Sequence, residues 1–389
     1  MNRKYLVGLS SLLICSGLRA TVIRVPEEVA TINGAVAAAA DGDTILIAPG
    51  LYEEPVLIEA KDLTIGSWFL TTGEVHYVDE TVIDGIGAAS ALSIRDTTPD
   101  AVVVQGLTIM GGVDCIEARA RIQVLDNHLT GCADGIDYEF DGGGICRGNL
   151  IDHQIDDALD LDHSIAVVVE GNTLRDNGGD GIEIRLHPYA GPVLETTISN
   201  NIIGGNGEDG IQFIDYDGES DRSFLIQRNL IAGNGAAGLG CVFGQSQETF
   251  EGASIAEPVV LAHNVFDANN HGVCGGDEML VVNNIVTGST VFAFKNVDGN
   301  SLVSYTALWE NGDNFENVNV LTETLVLAAP LLLADYRPQG DSPCIDAGHP
   351  RSPDDPDWTV ADLGVYSYDQ SRLRPTGPVW QESPPASRP

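Results

Sequence analysis

The chain has 389 residues and is strongly acidic, with 19 Lys and Arg against 57 Asp and Glu, a formal net charge of −38. At 43% hydrophobic residues it is too apolar for a disordered acidic chain and has enough for a real core. So much negative charge argues against binding a nucleic-acid backbone or an anionic membrane surface; it suits cationic ligands, divalent metal or simple solubility.

Residues 1–20, MNRKYLVGLSSLLICSGLRA, read as a signal peptide: a basic start at Arg3 and Lys4, an apolar stretch over 5–18, and Ala20 at the cleavage site. The expected location is therefore secreted or periplasmic. A lipoprotein at Cys15 is not expected, because Ile14 stands where a small residue belongs. No later segment reaches the roughly 18–20 apolar residues of a membrane-spanning helix, so no membrane insertion is expected. Without residues 1–20, 16 basic groups remain against 57 acidic, a charge of −41.

Residues 29–54 combine a short Ala-rich amphipathic stretch, a Gly-Asp turn and a β-branched strand. A helix there would cover the open edge of whatever sheet follows. The middle of the chain is a repeat. Segments opening on Asn127, Asn149, Asn172, Asn201, Asn229, Asn264 and Asn284 share an Asn, an apolar residue two positions on and usually a later Asp/Ala-Gly-apolar turn, at steps of 22, 23, 29, 28, 35 and 20 residues. A period near 22, made of short alternating stretches between Asn, Gly and Asp, fits three short strands and three turns per coil. Leucine-rich repeats would show recurring Leu spacings, and helical repeats a 3.6 period; neither is present. The predicted fold is all-β, a single-stranded right-handed parallel β-helix with a short N-terminal capping helix, spanning residues 21–369. Residues 370–389 are Pro-rich and are expected to form a flexible tail.

Five successive coils carry an Asp-x-apolar signature at Asp114, Asp134, Asp157, Asp180 and Asp209. Three residues on come Glu117, Asp137, Asp160, Glu183 and Gln212; five residues on come Arg119, Glu139, Asp162, Arg185 and Ile214. Alternation along a strand puts both sets on one outer face. Asp137, Asp160 and Glu183 then stack at the roughly 4.8 Å coil repeat. Two unit charges at that distance repel by about 3 kcal/mol at an effective dielectric near 20. Three responses are open: bound Ca²⁺, a shared proton, or neutralisation by Arg185. For Ca²⁺ the expected ligands are Asp137, Asp160, Asp180 and Glu183. The leading Asp of each coil also has a plain role, since Asp-Gly is ordinary turn chemistry. His153, His163, His187 and Tyr189 fall beside the ladder, and Tyr138, Tyr189, Phe213 and Tyr216 are its nearby aromatics. The insertion at 214–223, with Asp215, Asp217, Glu219 and Asp221, reads as a solvated loop rather than a helix-flanked calcium loop. Insertions at 188–195 and 245–257 lengthen turns of the same coils and are expected to wall a groove.

Six cysteines follow Cys15: Cys115, Cys132, Cys146, Cys241, Cys274 and Cys344. With no CxxC there is no zinc or redox motif, and the pairing stays open among 15 arrangements; some are expected to be small buried hydrophobes.

The opening at 29–54, the repeats, and the closing segments YRPQGDSPCIDAGHP and DLGVYSYD together resemble the pectin-lyase-like β-helix superfamily over residues 22–369. That resemblance implies an exported, polysaccharide-active protein. Ala133-Asp134-Gly135 and Asp156-Asp157 are similar to polygalacturonase segments, but Gly179-Asp180-Gly181 and Gln212-Phe213-Ile214 stand where that family has its His and its Arg-Ile-Lys. Residues 167–185 are similar to the calcium-site coil of alginate and chondroitin lyases, with Asn172, Asp180 and Glu183 in place of the metal-binding Asn and acids, and no counterpart of the Lys base.

The expected function is a calcium-assisted lyase acting as a monomer on a uronate-containing polysaccharide. Its candidate catalytic residues are Asp157, Asp180, Arg185 and His187. Candidate substrate contacts are Tyr138, Asp162, His163, Tyr189, Gln212 and Tyr216. Two alternatives stand beside it: a non-catalytic glycan-binding β-helix, and a hydrolase using the Asp157 and Asp180 pair.

Overall fold

The computed structural model describes residues 20–373 apart from 217, 219, 245–249 and 251–253. The signal peptide expected over 1–20 lies outside the described residues except for Ala20, as do residues 374–389 of the tail. Of the 214–223 insertion, Asp217 and Glu219 lie outside them too.

The fold is a right-handed parallel β-helix. Among the described residues, three parallel sheets run its length, with 12, 11 and 11 strands, and each strand pairs with its counterparts one coil before and after. One coil passes from the first sheet (Ala166–Glu170) through the second (Thr173–Arg175) to the third (Ile182–Leu186). Strands this short have no stability alone; stacking lets Ile, Val and Leu from every coil fill one continuous interior. The helix Ile32–Ala38 buries Ile32, Ala35 and Val36 against the first coils and closes the open end, as its Ala-rich pattern suggested. Among the described residues no helix is long and apolar enough to cross a membrane.

The repeat anchors have a direct structural meaning. Asn127, Asn149, Asn172, Asn201, Asn229, Asn264 and Asn284 form one buried file at the bend between the first and second sheets. From Asn149 onward, each Oδ1 accepts from the backbone N–H of the Asn one coil earlier, as from Asn172 to Asn201 at 2.9 Å. Each Nδ2 donates to a carbonyl of the coil before, as Asn201 does to Val169 at 2.9 Å. A second file, Gln154, Asn177, Asn206, Asn234 and Asn269, does the same at the next bend. These amides satisfy backbone groups that a bend between sheets would otherwise bury unpaired.

Cys115 and Cys132 are joined by a disulfide, and Cys146, Cys241, Cys274 and Cys344 are free and buried. The open pairing thus resolves to one bridge and four small core residues.

Candidate functional site

The register places the predicted carboxylates in one column on the outer face of the third sheet. Glu117 pairs with Asp137, Asp137 with Asp160, Asp160 with Glu183, and Glu183 with Gln212. Their strand neighbours Ile136, Leu159, Leu161, Ile182 and Ile184 point into the core, which leaves the acids on the outside.

Two arginines divide the charge. Arg119 bridges Glu117 (2.8 Å) and Glu139 (2.6 Å). Arg185 binds Asp160 at 2.5 Å, pairs with Glu183, and lies 3.4 Å from Asp162. Among the described residues no cation pairs with Asp137, which sits between these groups. Burial, followed by repulsion from Asp160 and Glu139, pushes the Asp137 carboxyl up to about 8. Burial also raises Glu183 to about 8 and Asp160 to about 6, with Arg185 opposing both shifts. The carboxylates in turn hold Arg185 above its already high value, so it keeps its proton and cannot serve as a base. Arg185 thus offsets part of the stacked charge, and burial with mutual repulsion raises the carboxyl pKa values.

Asp157 and Asp180 occupy a different position. Asp134 accepts the backbone N–H of Asp157 (3.0 Å), Asp157 that of Asp180 (2.6 Å), and Asp180 that of Asp209 (2.6 Å). Asp157 and Asp180 are 5% and 1% exposed, so they shape the entry to the third sheet and are closed to a sugar. This corrects their expected catalytic roles, and with them the hydrolase pair.

The expected metal quartet is not gathered as such. Besides the trio Asp134, Asp156 and Asp157, the carboxylates that converge are Asp157, Asp180 and Glu183, whose oxygens lie within 4.8 Å of one another, without Asp137 or Asp160. Two of their oxygens already accept backbone amides and Glu183 pairs with Arg185. Calcium takes six to eight oxygens. A near-inaccessible trio with a guanidinium beside it fits a substrate-bridging calcium poorly.

The aromatic contacts also differ from expectation. Tyr138 is fully buried in the core beside Cys146, and Gln212 is 3% exposed, so neither reaches a ligand. Phe213 is likewise core. Tyr189 caps the side wall, with its ring under Arg222 at 5.5 Å. The surface aromatics form a second file where the third sheet ends: Phe140, His163, His187 and Tyr216, with ring centroids 5.2, 5.0 and 4.3 Å apart and planes within 25° of parallel. The two middle rings, His163 and His187, have both faces covered by their neighbours in the file and present only edges. Phe140 and Arg222 were missed by sequence reasoning. Phe140 was findable, since it follows Asp134 by six residues as His163 follows Asp157.

The insertions after this file build a wall rather than a loose loop. Tyr189–Ser199 and Ser220–Gln227 extend the first sheet, with a register shift between Tyr189 and Leu194. Asp221 accepts from the Gly191 amide at 3.0 Å. Arg222, 5% exposed, donates to the carbonyls of His187 (2.8 Å) and His163 (2.5 Å). One buried guanidinium thus fixes the backbone that carries both imidazoles.

What remains accessible beside Arg185 is Asp162, His163, His187 and Tyr216. Burial lowers the His187 pKa below its usual 6.5, while Asp162 works against that shift. Burial raises the Tyr216 phenol, which keeps its proton, while the Arg185 guanidinium works against that shift. At neutral pH the patch therefore offers an unprotonated imidazole next to a protonated phenol.

A family model described as "Right handed beta helix region" matches residues 89–222. No curated protein matches the chain. Among solved structures, the chain is similar to the pectate lyase Pel9A, at 14% identity and a TM-score of 0.55, over 90% of this chain and 97% of that one. It is also similar to an alginate lyase from Paenibacillus sp. str. FPU-7, at 14% identity and a TM-score of 0.43, over 79% and 98%. The A-module of the Azotobacter vinelandii mannuronan C-5 epimerase AlgE6 follows at 15% and 0.45, over 77% and 93%. At such identities the likeness is one of fold.

Proposed function

We propose that this protein cleaves a uronate-containing polysaccharide by β-elimination on the outer face of the third sheet. The observation that carries the reading is the juxtaposition of His187 and Tyr216, stacked at 4.3 Å beside a guanidinium. Elimination needs three things: a damped uronate carboxylate, a base for the proton on the adjacent carbon, and an acid for the departing oxygen. His187 takes the proton, and the freed electron pair forms the carbon–carbon double bond. The bond to the leaving oxygen breaks, and Tyr216 supplies that oxygen with a proton. Arg185 provides the positive charge nearest the reacting groups, and a protonated Glu183 lowers the net negative charge around it. No step passes through calcium.

The competing readings have less support. A hydrolase built on Asp157 and Asp180 lacks accessible carboxyls, and the two middle rings of the stacked file, His163 and His187, have their faces covered by their neighbours. A panel of pectate, alginate, glycosaminoglycan and neutral glucan separates all three. The expected result is unsaturated, ultraviolet-absorbing product from at least one uronate polymer, with His187→Asn slowing it by at least about 100-fold at an unchanged melting temperature. Reducing ends without that absorbance would point to hydrolysis, and retention without any product to binding. Wild-type rates in His187→Asn would remove the imidazole from the mechanism.

A further inference from the structure

We propose that Asp162, His163 and His187 form a binding site for one divalent transition ion of the zinc class. Their donor atoms lie within 4.8 Å of one another, on the surface just beyond the carboxylate column. Asp162 Oδ1 is 3.4 Å from His187 Nε2, and Asp162 Oδ2 is 3.6 Å from His163 Nδ1. Both separations are long for a charge-assisted hydrogen bond. They match the edge, about 3.4 Å, of a tetrahedron whose metal–ligand bonds are about 2.1 Å. The third edge, between the two imidazole nitrogens, closes by rotation of rings whose side chains are 45% and 33% exposed.

Two further features mark the site as built. Asp162 Oδ1 is shielded from solvent and makes no hydrogen bond; its polar neighbours are His187 Nε2 and Arg185 Nη1, each at 3.4 Å. The buried Arg222 clamps both histidine carbonyls, so the two imidazoles are carried on one fixed piece of backbone. Arg185 does not bar a cation, because the ionised Asp160 already engages its charge. Two imidazoles and one carboxylate select zinc, cobalt or nickel over calcium, which takes oxygen ligands. Exposed ring edges leave the remaining coordination positions to water.

Occupancy has a consequence that rests on the proposed role of His187. A metal on Nε2 takes the lone pair that would accept the proton, so a transition ion inhibits elimination where Ca²⁺ does not.

The test uses the full chain without a polyhistidine tag, treated with chelator and titrated with ZnCl₂ by calorimetry and with CoCl₂ by visible absorption. One ion per chain is expected, with a Kd of about 1 μM or tighter and an intense cobalt band of tetrahedral type. His163→Ala and His187→Ala should each weaken zinc binding by at least about 30-fold, while His153→Ala, at a 65% exposed histidine, leaves it unchanged. If an alanine variant fails to fold, His→Gln at the same position replaces it. Absence of saturable zinc binding, or equal binding in the double variant His163→Ala/His187→Ala, overturns the site whether or not the protein is a lyase. Zinc that binds as expected yet leaves elimination unslowed overturns the inhibitory consequence and the basic role of His187, while the metal site stands.

Discussion

Asn201→Ala is expected to destabilise the protein by roughly 3–5 kcal/mol, more than any surface change of similar size. Asn201 Oδ1 accepts from the Asn172 backbone N–H at 2.9 Å and from Asn172 Nδ2 at 3.0 Å. Its own Nδ2 donates to the Val169 carbonyl and to Asn229 Oδ1, both at 2.9 Å. All of these groups are out of reach of water, Asn201 itself being 1% exposed. Truncation strands the Asn172 amide and the Val169 carbonyl in the interior, and each unsatisfied buried group costs about 1–3 kcal/mol. Because each coil contacts only its neighbours, one break also weakens the coupling between the two halves of the helix. Denaturant unfolding checks this, with Glu170→Ala as the comparison. Glu170 forms an exposed pair with Arg147, a contact worth at most about 1 kcal/mol. Equal losses in the two variants would mean that the asparagine file contributes nothing beyond surface polarity.

Stability is expected to fall as pH rises from about 5 to 9, the reverse of a protein held together by ionised carboxylates. Burial, reinforced by neighbouring acids, pushes Asp114 up to about 7, Asp137 up to about 8 and Asp157 up to about 9. Glu183 rises to about 8 and Asp160 to about 6, with burial again the main cause. In the unfolded chain these groups lose their protons near pH 4. Between pH 4 and 9 the folded state therefore holds more protons than the unfolded state. Their raised values cost nothing below pH 4, where both states are protonated. The cost grows as pH climbs and is complete above the folded values. Each tenfold gain in a carboxyl's proton affinity on folding corresponds to about 1.4 kcal/mol, but neighbouring acids in one column ionise in turn, so the total is less than a sum over the residues. A drop in melting temperature of roughly 5 °C or more between pH 5 and pH 9 is the expected size. The double variant Asp137→Asn/Glu183→Gln mimics the protonated pair and should flatten the profile. A wild-type melting temperature that stays level or climbs over this range would contradict the protonated state of these buried acids.

The repeat made much of this fold legible. Asn127 through Asn284 recur because each supplies the same hydrogen bonds at the same bend, so a local chemical need is written as a period. The stacking of Asp137, Asp160 and Glu183 followed as well, since counting three residues from each coil's Asp finds positions that the register pairs. Accessibility was not legible. Asp157 and Asp162 are both acids of one coil, but one is buried against a backbone amide at the strand entry and the other is part-exposed. Tyr138 is the exception, since it follows Ile136 by two in one strand and so faces the core, whereas Tyr216 lies past the end of its strand and ends a surface file. Alternation assigns a side to a residue within a strand, but not at the bends, where the backbone turns and the period of two stops.

From its residues alone, then, this chain specified a coiled parallel architecture, the number of strands per turn and the alignment of its acids. Those properties depend on local pattern, on which side chain can satisfy which backbone group at each bend. Folding in three dimensions decided which acids meet solvent, that Arg185 is captured by three carboxylates, and that Arg222, 59 residues from His163, holds the two imidazoles in place. Burial and Coulomb interactions depend on distances between residues far apart in the chain, and no spacing rule along the sequence carries those distances.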